Sequence, residues 1–189
     1  SLMLSLRRSY LQFIFQLIGL PISPDYWDYQ WNINHKIDGY LEIGSTGRYV
    51  KSLKKVFDFK GPVFLTNDFQ PTYSASDLME RGQIRKIGKF FDLDNYVPIS
   101  QIVSDQSLDL VTCYIGLHHC PLDRLAPYLA SINRVLRPGG HFILRDHDAT
   151  TAEMKTFCSL VHTVFNAGFA VSWDENASEF KSFNSIDHW

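Results

Sequence analysis

The chain has 189 residues, of which 45% are hydrophobic and 20% are charged, and its formal net charge is −2. This balance is typical of one folded domain with a single core and excludes an intrinsically disordered chain. A net charge near zero provides no basic field that would attract a nucleic-acid backbone. The three cysteines cannot all pair, so the sequence favours a reducing, cytoplasmic location over a disulfide framework.

Residues 1–38 precede the first predicted strand and are expected to form a helical segment that packs on the domain or covers a site. The apolar run Leu11–Leu20 is too short to span a bilayer and is interrupted by Gln12 and Gln16. No membrane contact is therefore predicted. The aromatic residues within 26–31 are expected to pack on the sheet, and an apolar wall for a substrate is their alternative role.

Residues 39–189 alternate between strand-like and helix-like apolar periods, which predicts one α/β domain. This alternation implies right-handed crossovers and a doubly wound, mostly parallel sheet covered by helices on both faces. In such a sheet, ligands bind beyond the carboxyl ends of the strands. The predicted strands are 40–43, 62–66, 84–91, 108–115 and 141–145. The predicted helices are 47–58, 76–82, 98–103, 122–136 and a last one from about Thr150 to Gly168, with Thr150 and Glu153 as its capping box.

The most informative segment is the end of the first strand, where the chain breaks into a turn that contains Gly44 and Gly47. A small-residue turn before a helix presents backbone N–H groups and a helix N-terminus to the polar part of a ligand. Glu42 stands two residues before Gly44 and is placed to receive an amine or a hydroxyl group. Such turns also occur in α/β proteins without a ligand, so the turn alone does not define a function.

Carboxylates follow the second and third predicted strands. Asp68 comes after Gly44 at close to the spacing, about 20 residues, at which an acid meets the ribose hydroxyls of a nucleoside cofactor. A turn or helix-capping role is the alternative for Asp68, and the glycine turn upstream favours the cofactor. Asp92 can meet an adenine amine or serve as a turn carboxylate.

The fourth and fifth strands are followed by imidazoles and carboxylates: His118 and His119 after the fourth, and Asp146, His147 and Asp148 after the fifth. If these strands pair, the side chains come within reach of one another. An imidazole or carboxylate there can act as a general base near neutral pH. Metal binding is a rival role, but no compact ligand spacing is present, so no metal site is predicted. Hydrogen bonding to loop backbone is the third possibility.

Five segments of the chain match one known pattern: Leu41–Arg48, Phe64–Asp68, Ser107–Val111, Ile115–His119 and Arg134–Gly140. Together they resemble the class I S-adenosylmethionine-dependent methyltransferases, especially the small-molecule branch called methyltransferase type 11. The resemblance covers about residues 39–168. The helix that runs into Arg-Pro-Gly-Gly and a strand is a familiar element of that family, and its combination with the glycine turn makes the match specific.

The resemblance implies a Rossmann-like domain that transfers a methyl group from S-adenosylmethionine to a small-molecule acceptor. It implies that Glu42, Gly44, Ser45, Thr46 and Gly47 hold the methionine end of the cofactor, Asp68 its ribose and Asp92 its adenine, with Ile115 and Gly116 on the far side. By the same resemblance, His118 or His119 faces the methyl group and the acceptor, and Asp146 is the next candidate for a base. A small-molecule acceptor is the expected partner, without nucleic acid.

Two departures from the family pattern support alternatives. The turn is one residue shorter than in the family and lacks the middle glycine, and the residues after Gly168 are too few for the final helix and strand hairpin of the family. Either the sheet is abbreviated and lacks that hairpin, or the chain is a truncated portion of a longer protein, which is the favoured expectation. A catalytically inactive, methyltransferase-like binding or scaffold domain is the main alternative. A nicotinamide-dependent oxidoreductase is disfavoured because the Gly-x-Gly-x-x-Gly fingerprint is absent.

Overall fold

A computed structural model describes residues 36–82, 84–99, 102–168 and 170–189. The predicted N-terminal segment, 1–38, lies outside the described residues except for 36–38, which belong to the first strand. Among the described residues, no helix combines the length and apolar character that crossing a bilayer requires.

The described residues form one five-stranded sheet in which every pair of neighbouring strands is parallel. Its strands are β1 Lys36–Ile43, β2 Asp58–Asn67, β3 Lys89–Asp92, β4 Leu108–Cys113 and β5 Leu136–Leu144, in the order β3-β2-β1-β4-β5. The helices are α1 Val50–Leu53, α2 Ala75–Arg81, α3 Leu122–Val135, α4 Ala152–Gly168 and α5 Trp173–Ser178, with a 3₁₀ turn at Leu117–His119. The predicted doubly wound, parallel α/β fold is confirmed.

The two central strands, β1 and β4, are buried on both faces, as expected for a parallel sheet covered on both sides. Leu41 and Val111 belong to the apolar core on the face covered by α3. Tyr40 and Leu110 belong to a second core on the opposite face, where they pack with Val50 of α1. The outer strands are more exposed. The loops at the carboxyl ends of β1 and β4 therefore extend from the best-packed part of the sheet.

The helix predicted over 47–58 is reduced to the four residues of α1. Its apolar face is present, because Val50, Leu53 and Phe57 are all buried. The chain cannot continue as a helix, since β2 begins at Asp58 and Lys36 of β1 pairs with it. The start of β2 thus limits how far the local helical pattern extends.

The junction of α3 and β5 also differs from the prediction. The helix ends at Val135, and the segment Arg137–Gly140 lies inside β5 rather than in a loop. Pro138 disfavours a helical conformation at Arg137, and the ladder between β4 and β5 already begins with Leu108 and Leu136. The helix therefore passes directly into the strand.

The last long helix, α4, begins one residue later than predicted. Thr151, not Thr150, accepts a hydrogen bond from the Met154 backbone N–H at 3.2 Å. The apolar stripe predicted for this helix is present but exposed, with Phe157 63% and Phe165 61% accessible. Polar side chains of α4, not this stripe, make its hydrogen bonds with α5.

Candidate functional site

The strand order reverses around β1, which lies between β2 and β4, and this makes the carboxyl ends of β1 and β4 the switch point of the sheet. The turn after β1 and the loop after β4 touch there. A Cβ atom built on Gly44 would lie 3.0 Å from the Ile115 carbonyl oxygen. A surface hollow lined by Lys54–Phe59 lies at the start of β2, which is the opposite end of the sheet, so it is not part of this site.

The glycine turn closes on itself through a serine. Gly44 and Gly47 have φ values of +74° and +103°, a region that favours glycine. The Gly44 backbone N–H donates to the Thr66 carbonyl oxygen at 2.8 Å. The Ser45 hydroxyl accepts from the N–H groups of Gly47, at 3.2 Å, and Arg48, at 3.0 Å. Two of the amides that the sequence assigned to a ligand are therefore bonded to Ser45 in this conformation.

Glu42 connects the glycine turn to the central strands through hydrogen bonds. Its side chain is buried, and its carboxylate accepts from the Tyr40 hydroxyl at 2.9 Å and from the Tyr49 backbone N–H at 3.4 Å. The Tyr40 hydroxyl also lies 2.7 Å from Thr112 Oγ1. Glu42 thus links the central strands to the residue at which the turn enters α1.

Two buried hydroxyl groups beside the turn have no hydrogen-bond partner among the described residues: Thr46 Oγ1 and Thr66 Oγ1. Thr66 is the strand residue whose carbonyl oxygen receives the Gly44 N–H. Buried polar groups are normally paired, so two orphaned hydroxyls at one turn fit a site whose polar ligand completes them. Thr66 was missed from the sequence, where the only signal was a polar residue at the end of a buried strand.

Asp68 and Asp92 lie at the same edge of the sheet, after β2 and at the end of β3. Both are exposed, and Asp92 pairs with Asn67 across the two strands. Partial burial of the carboxylate and the nearby charge of Glu179 raise the pKa of Asp68. The structure shows no contact between these carboxylates and the glycine turn, so only the position of both acids at the carboxyl edge agrees with the sequence.

Ile115 and Gly116 complete the opposite wall of the switch point. Ile115 is 40% exposed. Gly116 has φ +141°, and its carbonyl oxygen accepts from the Tyr96 hydroxyl at 2.6 Å. Among the described residues, the Tyr96 hydroxyl at 4.0 Å is the one group near a Cβ atom built at Gly116. A bare backbone therefore faces open space beside the glycine turn.

The structure brings together the imidazoles and carboxylates that follow β4 and β5, with the exception of Asp148. His118 Nδ1 lies 2.8 Å from Asp146 Oδ1, and both side chains are almost fully buried. His147 Nδ1 contacts the same oxygen at 2.9 Å. Burial alone would raise the pKa of Asp146, but the hydrogen bonds from His118 and His147 outweigh it and hold that pKa below the usual range. Asp148 lies apart and accepts from the Ile186 N–H at 3.0 Å.

A fourth imidazole, that of His162 on α4, joins this group and was missed from the sequence. His162 Nε2 lies 3.3 Å from His118 Nε2. Burial and the neighbouring imidazoles lower the pKa of His162 and of His119 to about 4 each. His162 lies in a helix far along the chain from His118, so no local pattern pointed to it.

The C-terminal segment lies against the same group. The Ser182 N–H donates to the His118 carbonyl oxygen at 2.8 Å, and the Ala149 N–H donates to that of Asn184 at 2.9 Å. Phe183 is buried and stacks on the His118 ring, with centroids 5.3 Å apart. The residues that follow α5 therefore form one side of the histidine group.

A sequence profile of a family described as methyltransferase domain matches residues 41–144. Among solved structures, the chain is similar to YcgJ from Bacillus subtilis, with 19% identity, a TM-score of 0.53, and coverage of 80% of this chain and 58% of that one. A protein from Methanococcus maripaludis, described as a putative S-adenosyl-L-methionine-dependent methyltransferase, shows 15% identity, a TM-score of 0.47, and coverage of 78% and 64% respectively.

The chain thus spans somewhat more than half the length of YcgJ. No curated protein matches the sequence. The profile match covers more than half of the chain, including the glycine turn, the switch-point loop and β5. The chain therefore belongs to the methyltransferase domain family, within the class I S-adenosylmethionine-dependent methyltransferases that its motifs resemble.

Proposed function

We propose that this domain binds S-adenosylmethionine at the switch point and transfers its methyl group to a small-molecule acceptor. The observation that carries the proposal is the contact between the glycine turn and the Ile115 loop at the centre of the sheet. Both segments lie within the residues that match the methyltransferase domain family. The two orphaned hydroxyls of Thr46 and Thr66 lie at the same turn and fit a polar ligand.

The proposed cofactor-binding residues divide between the strand ends. Gly44, Ser45, Thr46 and Gly47 meet the methionine end, with Glu42 acting from beneath by holding the Tyr49 N–H. Asp68 accepts from the ribose hydroxyls, and Asp92 lies by the adenine amine. Ile115 and Gly116 form the opposite wall, where the missing Cβ of Gly116 lets a ligand approach the backbone.

The chemistry asked of the chain is mainly alignment. Bound S-adenosylmethionine supplies an already activated methyl group on its sulfonium, and the protein positions the acceptor in line with it. His118, His119 and Asp146 are the proposed catalytic residues on the acceptor side. Where the acceptor must lose a proton, an imidazole accepts it, and Asp146 orients His118 through the 2.8 Å contact with Nδ1.

A small molecule is the proposed acceptor, for two physical reasons. The chain carries a net charge of −2 and therefore provides no general attraction for a phosphate backbone. The C-terminal segment also lies over the histidine group, with Phe183 stacked on His118, which narrows access from that side.

Calorimetric titration of the 189-residue protein with S-adenosylmethionine tests the proposal. Binding is expected for the unchanged protein, and it should weaken in Asp68→Asn, which removes the charged acceptor for the ribose and leaves an exposed site of similar size. NAD serves as the ligand control and should not bind. A folded protein that shows no heat with S-adenosylmethionine, or equal affinity in Asp68→Asn, contradicts the proposed site.

An inactive binding domain is a second candidate, and one observation favours it: the Ser45 hydroxyl occupies the amides of Gly47 and Arg48. If the turn stays closed in this way, the cofactor loses two donors. Binding of S-adenosylmethionine without methyl transfer to a panel of small hydroxyl, thiol and amine acceptors would support this candidate over the enzyme.

A further inference from the structure

Four of the seven histidines of the chain meet at one place, although they come from three separate segments. The ring centroids of His118 and His119 are 4.1 Å apart, and that of His162 lies 5.4 Å from the first and 4.9 Å from the second. One ring nitrogen from each of these three residues lies within 4.8 Å of the other two. Three imidazoles at this separation form a potential set of metal ligands.

Neighbouring acceptors fix which nitrogen carries a lone pair in two of the three rings. Asp146 Oδ1, at 2.8 Å, holds the proton of His118 on Nδ1, which leaves the lone pair of Nε2 available to a metal ion. His119 Nδ1 lies 3.2 Å from both the Phe180 carbonyl oxygen and Glu179 Oε1, so its proton also resides on Nδ1. A carboxylate behind the ring is one arrangement by which proteins orient histidines that bind a metal, and His118 and His119 have it. Nδ1 of His162 has no partner among the described residues.

The spacing of the nitrogens agrees with a shared cation. Zn–N bonds of about 2.0–2.1 Å at a tetrahedral angle place two ligand nitrogens roughly 3.3 Å apart. The Nε2 atoms of His118 and His162 are separated by 3.3 Å. Two lone pairs facing each other at this distance repel unless a proton or a metal ion lies between them.

A second possible ligand set, His118 with Asp146 and His147, is less suitable. Asp146 is fully enclosed, and its Oδ1 already accepts from both imidazoles and from the His147 backbone N–H at 2.7 Å. Its Oδ2 accepts from the His118 backbone N–H at 3.1 Å. Both oxygens are therefore committed to hydrogen bonds, and binding a metal would require breaking them.

The surroundings suit a divalent cation. Asp146 and Glu179 supply negative charge behind two of the imidazoles, although Lys181 lies 3.0 Å from Glu179 and offsets part of it. The Phe183 ring covers His118 and limits access of water. Neutral imidazole ligands suit zinc, copper, cobalt and nickel better than magnesium or calcium, which prefer oxygen.

We propose that His118, His119 and His162 bind one divalent d-block cation of the zinc class through a ring nitrogen of each imidazole. Three protein ligands leave a further coordination position for water or for an acceptor oxygen. The binding itself does not depend on the proposed methyl transfer. Where both hold, the three imidazoles would hold a cation that would lower the pKa of a coordinated acceptor hydroxyl, and their lone pairs would then not be available to accept its proton.

The test uses the 189-residue protein prepared without a polyhistidine tag and depleted of metal with a chelator. Titration with Co²⁺ is expected to give one bound ion per chain, with the visible absorption of a tetrahedral or five-coordinate site. One equivalent of Zn²⁺ should abolish that absorption by displacing cobalt. The absence of cobalt binding by folded protein would overturn the proposal and leave a shared proton between His118 and His162.

Variants identify the ligands. His162→Ala and His119→Ala should each weaken zinc binding about tenfold or more. Tenfold is the lower end of the loss seen when a residue that only orients a ligand is removed, so removal of a ligand should cost at least as much. His188→Ala should keep the affinity of the unchanged protein, because it lies outside the group. His147→Ala should weaken binding less than His162→Ala, because His147 contacts Asp146 without serving as a ligand. Circular dichroism confirms that each variant is folded.

Two outcomes separate the alternatives. Loss of metal in His147→Ala with retention in His162→Ala would overturn the proposed ligand set in favour of the one that includes Asp146. S-adenosylmethionine affinity, measured on the same metal-depleted sample, is independent of the metal result. If the protein binds S-adenosylmethionine but not cobalt, the proposed function stands and the metal site is refuted. If it binds cobalt but not S-adenosylmethionine, the metal site stands and the proposed function is refuted.

Discussion

Replacement of Gly44 by alanine tests the contact on which the proposed cofactor site depends. Gly44 has φ +74°, and alanine in this left-handed region costs of order 1–3 kcal/mol. The added Cβ would also lie 3.0 Å from the Ile115 carbonyl oxygen, which is backbone and must move by a few tenths of an ångström. Gly44→Ala should therefore destabilise the domain and separate the two loops of the switch point.

Gly139→Ala is the matched control. Gly139 has a similar φ of +83°, but no atom of the described part of the chain lies within 4 Å of its added Cβ. It occupies the first half of β5, at the end of the sheet away from the switch point. This variant should lose about 1–2 kcal/mol of unfolding free energy from the left-handed conformation alone, and Gly44→Ala should lose more than that.

Urea unfolding of both variants measures the free energy of unfolding, and calorimetry with S-adenosylmethionine measures the affinity for the cofactor. The affinity should fall about tenfold or more in Gly44→Ala, equivalent to ~1.4 kcal/mol, and stay unchanged in Gly139→Ala. Equal losses of stability would show that the Ile115 contact carries no energy. Unchanged cofactor affinity in Gly44→Ala would refute the placement of the cofactor at this turn.

Three further predictions concern single side chains with matched controls. The pKa of Asp68 is raised above 3.8, so the Asp68 carboxylate becomes protonated at a higher pH than an ordinary aspartate. As the pH is lowered, S-adenosylmethionine affinity should therefore begin to fall at that higher pH. Calorimetry across acidic pH should show this dependence in the unchanged protein and not in Asp68→Asn. Tyr40→Phe should cost about 1–3 kcal/mol in urea unfolding, because Glu42 and Thr112 each lose a buried partner; Tyr128→Phe should be nearly neutral, because its buried hydroxyl has no partner among the described residues. Thr151→Ala should cost about 1 kcal/mol through loss of the α4 cap, whereas Thr150→Ala, measured in the same way, should not.

These predictions fail in distinct ways. A pH profile of cofactor binding that is identical in Asp68→Asn would remove Asp68 from the site. Equal effects of the two tyrosine changes would mean that the hydrogen bonds to Glu42 do not stabilise the sheet. A larger loss in Thr150→Ala than in Thr151→Ala would restore the helix start predicted from the sequence.

Sequence reasoning succeeded where the signal was local. Apolar periodicity predicted a strand that overlaps each of the five observed strands, since a side chain's face is set by its position along its own strand or helix. The third strand begins at Lys89 rather than at residue 84, and α5 was not predicted. The glycine turn was recognisable because Gly44 and Gly47 mark backbone conformations that other residues avoid. The short length of α1 was not predictable, because pairing of Lys36 with Asp58 decides where the helix must end.

The polar interior of the site was predicted in position but not in partnership. Glu42 was expected to face a ligand, and in the structure its carboxylate is enclosed by Tyr40 and the Tyr49 backbone. Ser45 was counted among the residues that hold a ligand, and its hydroxyl instead binds the amides of its own turn. A residue type identifies a capacity to hydrogen-bond, whereas the nearest available donor decides how that capacity is used.

By itself, the amino-acid order determined the parallel α/β architecture, the family and the carboxyl-edge location of the acids and histidines. Tertiary structure alone decided that His162 of α4 joins His118 and His119, and that Phe183 covers them. These contacts connect segments more than 40 residues apart along the chain, so no pattern of neighbouring residues encodes them. They exist because a sheet gathers the ends of its strands at one edge, where distant segments meet.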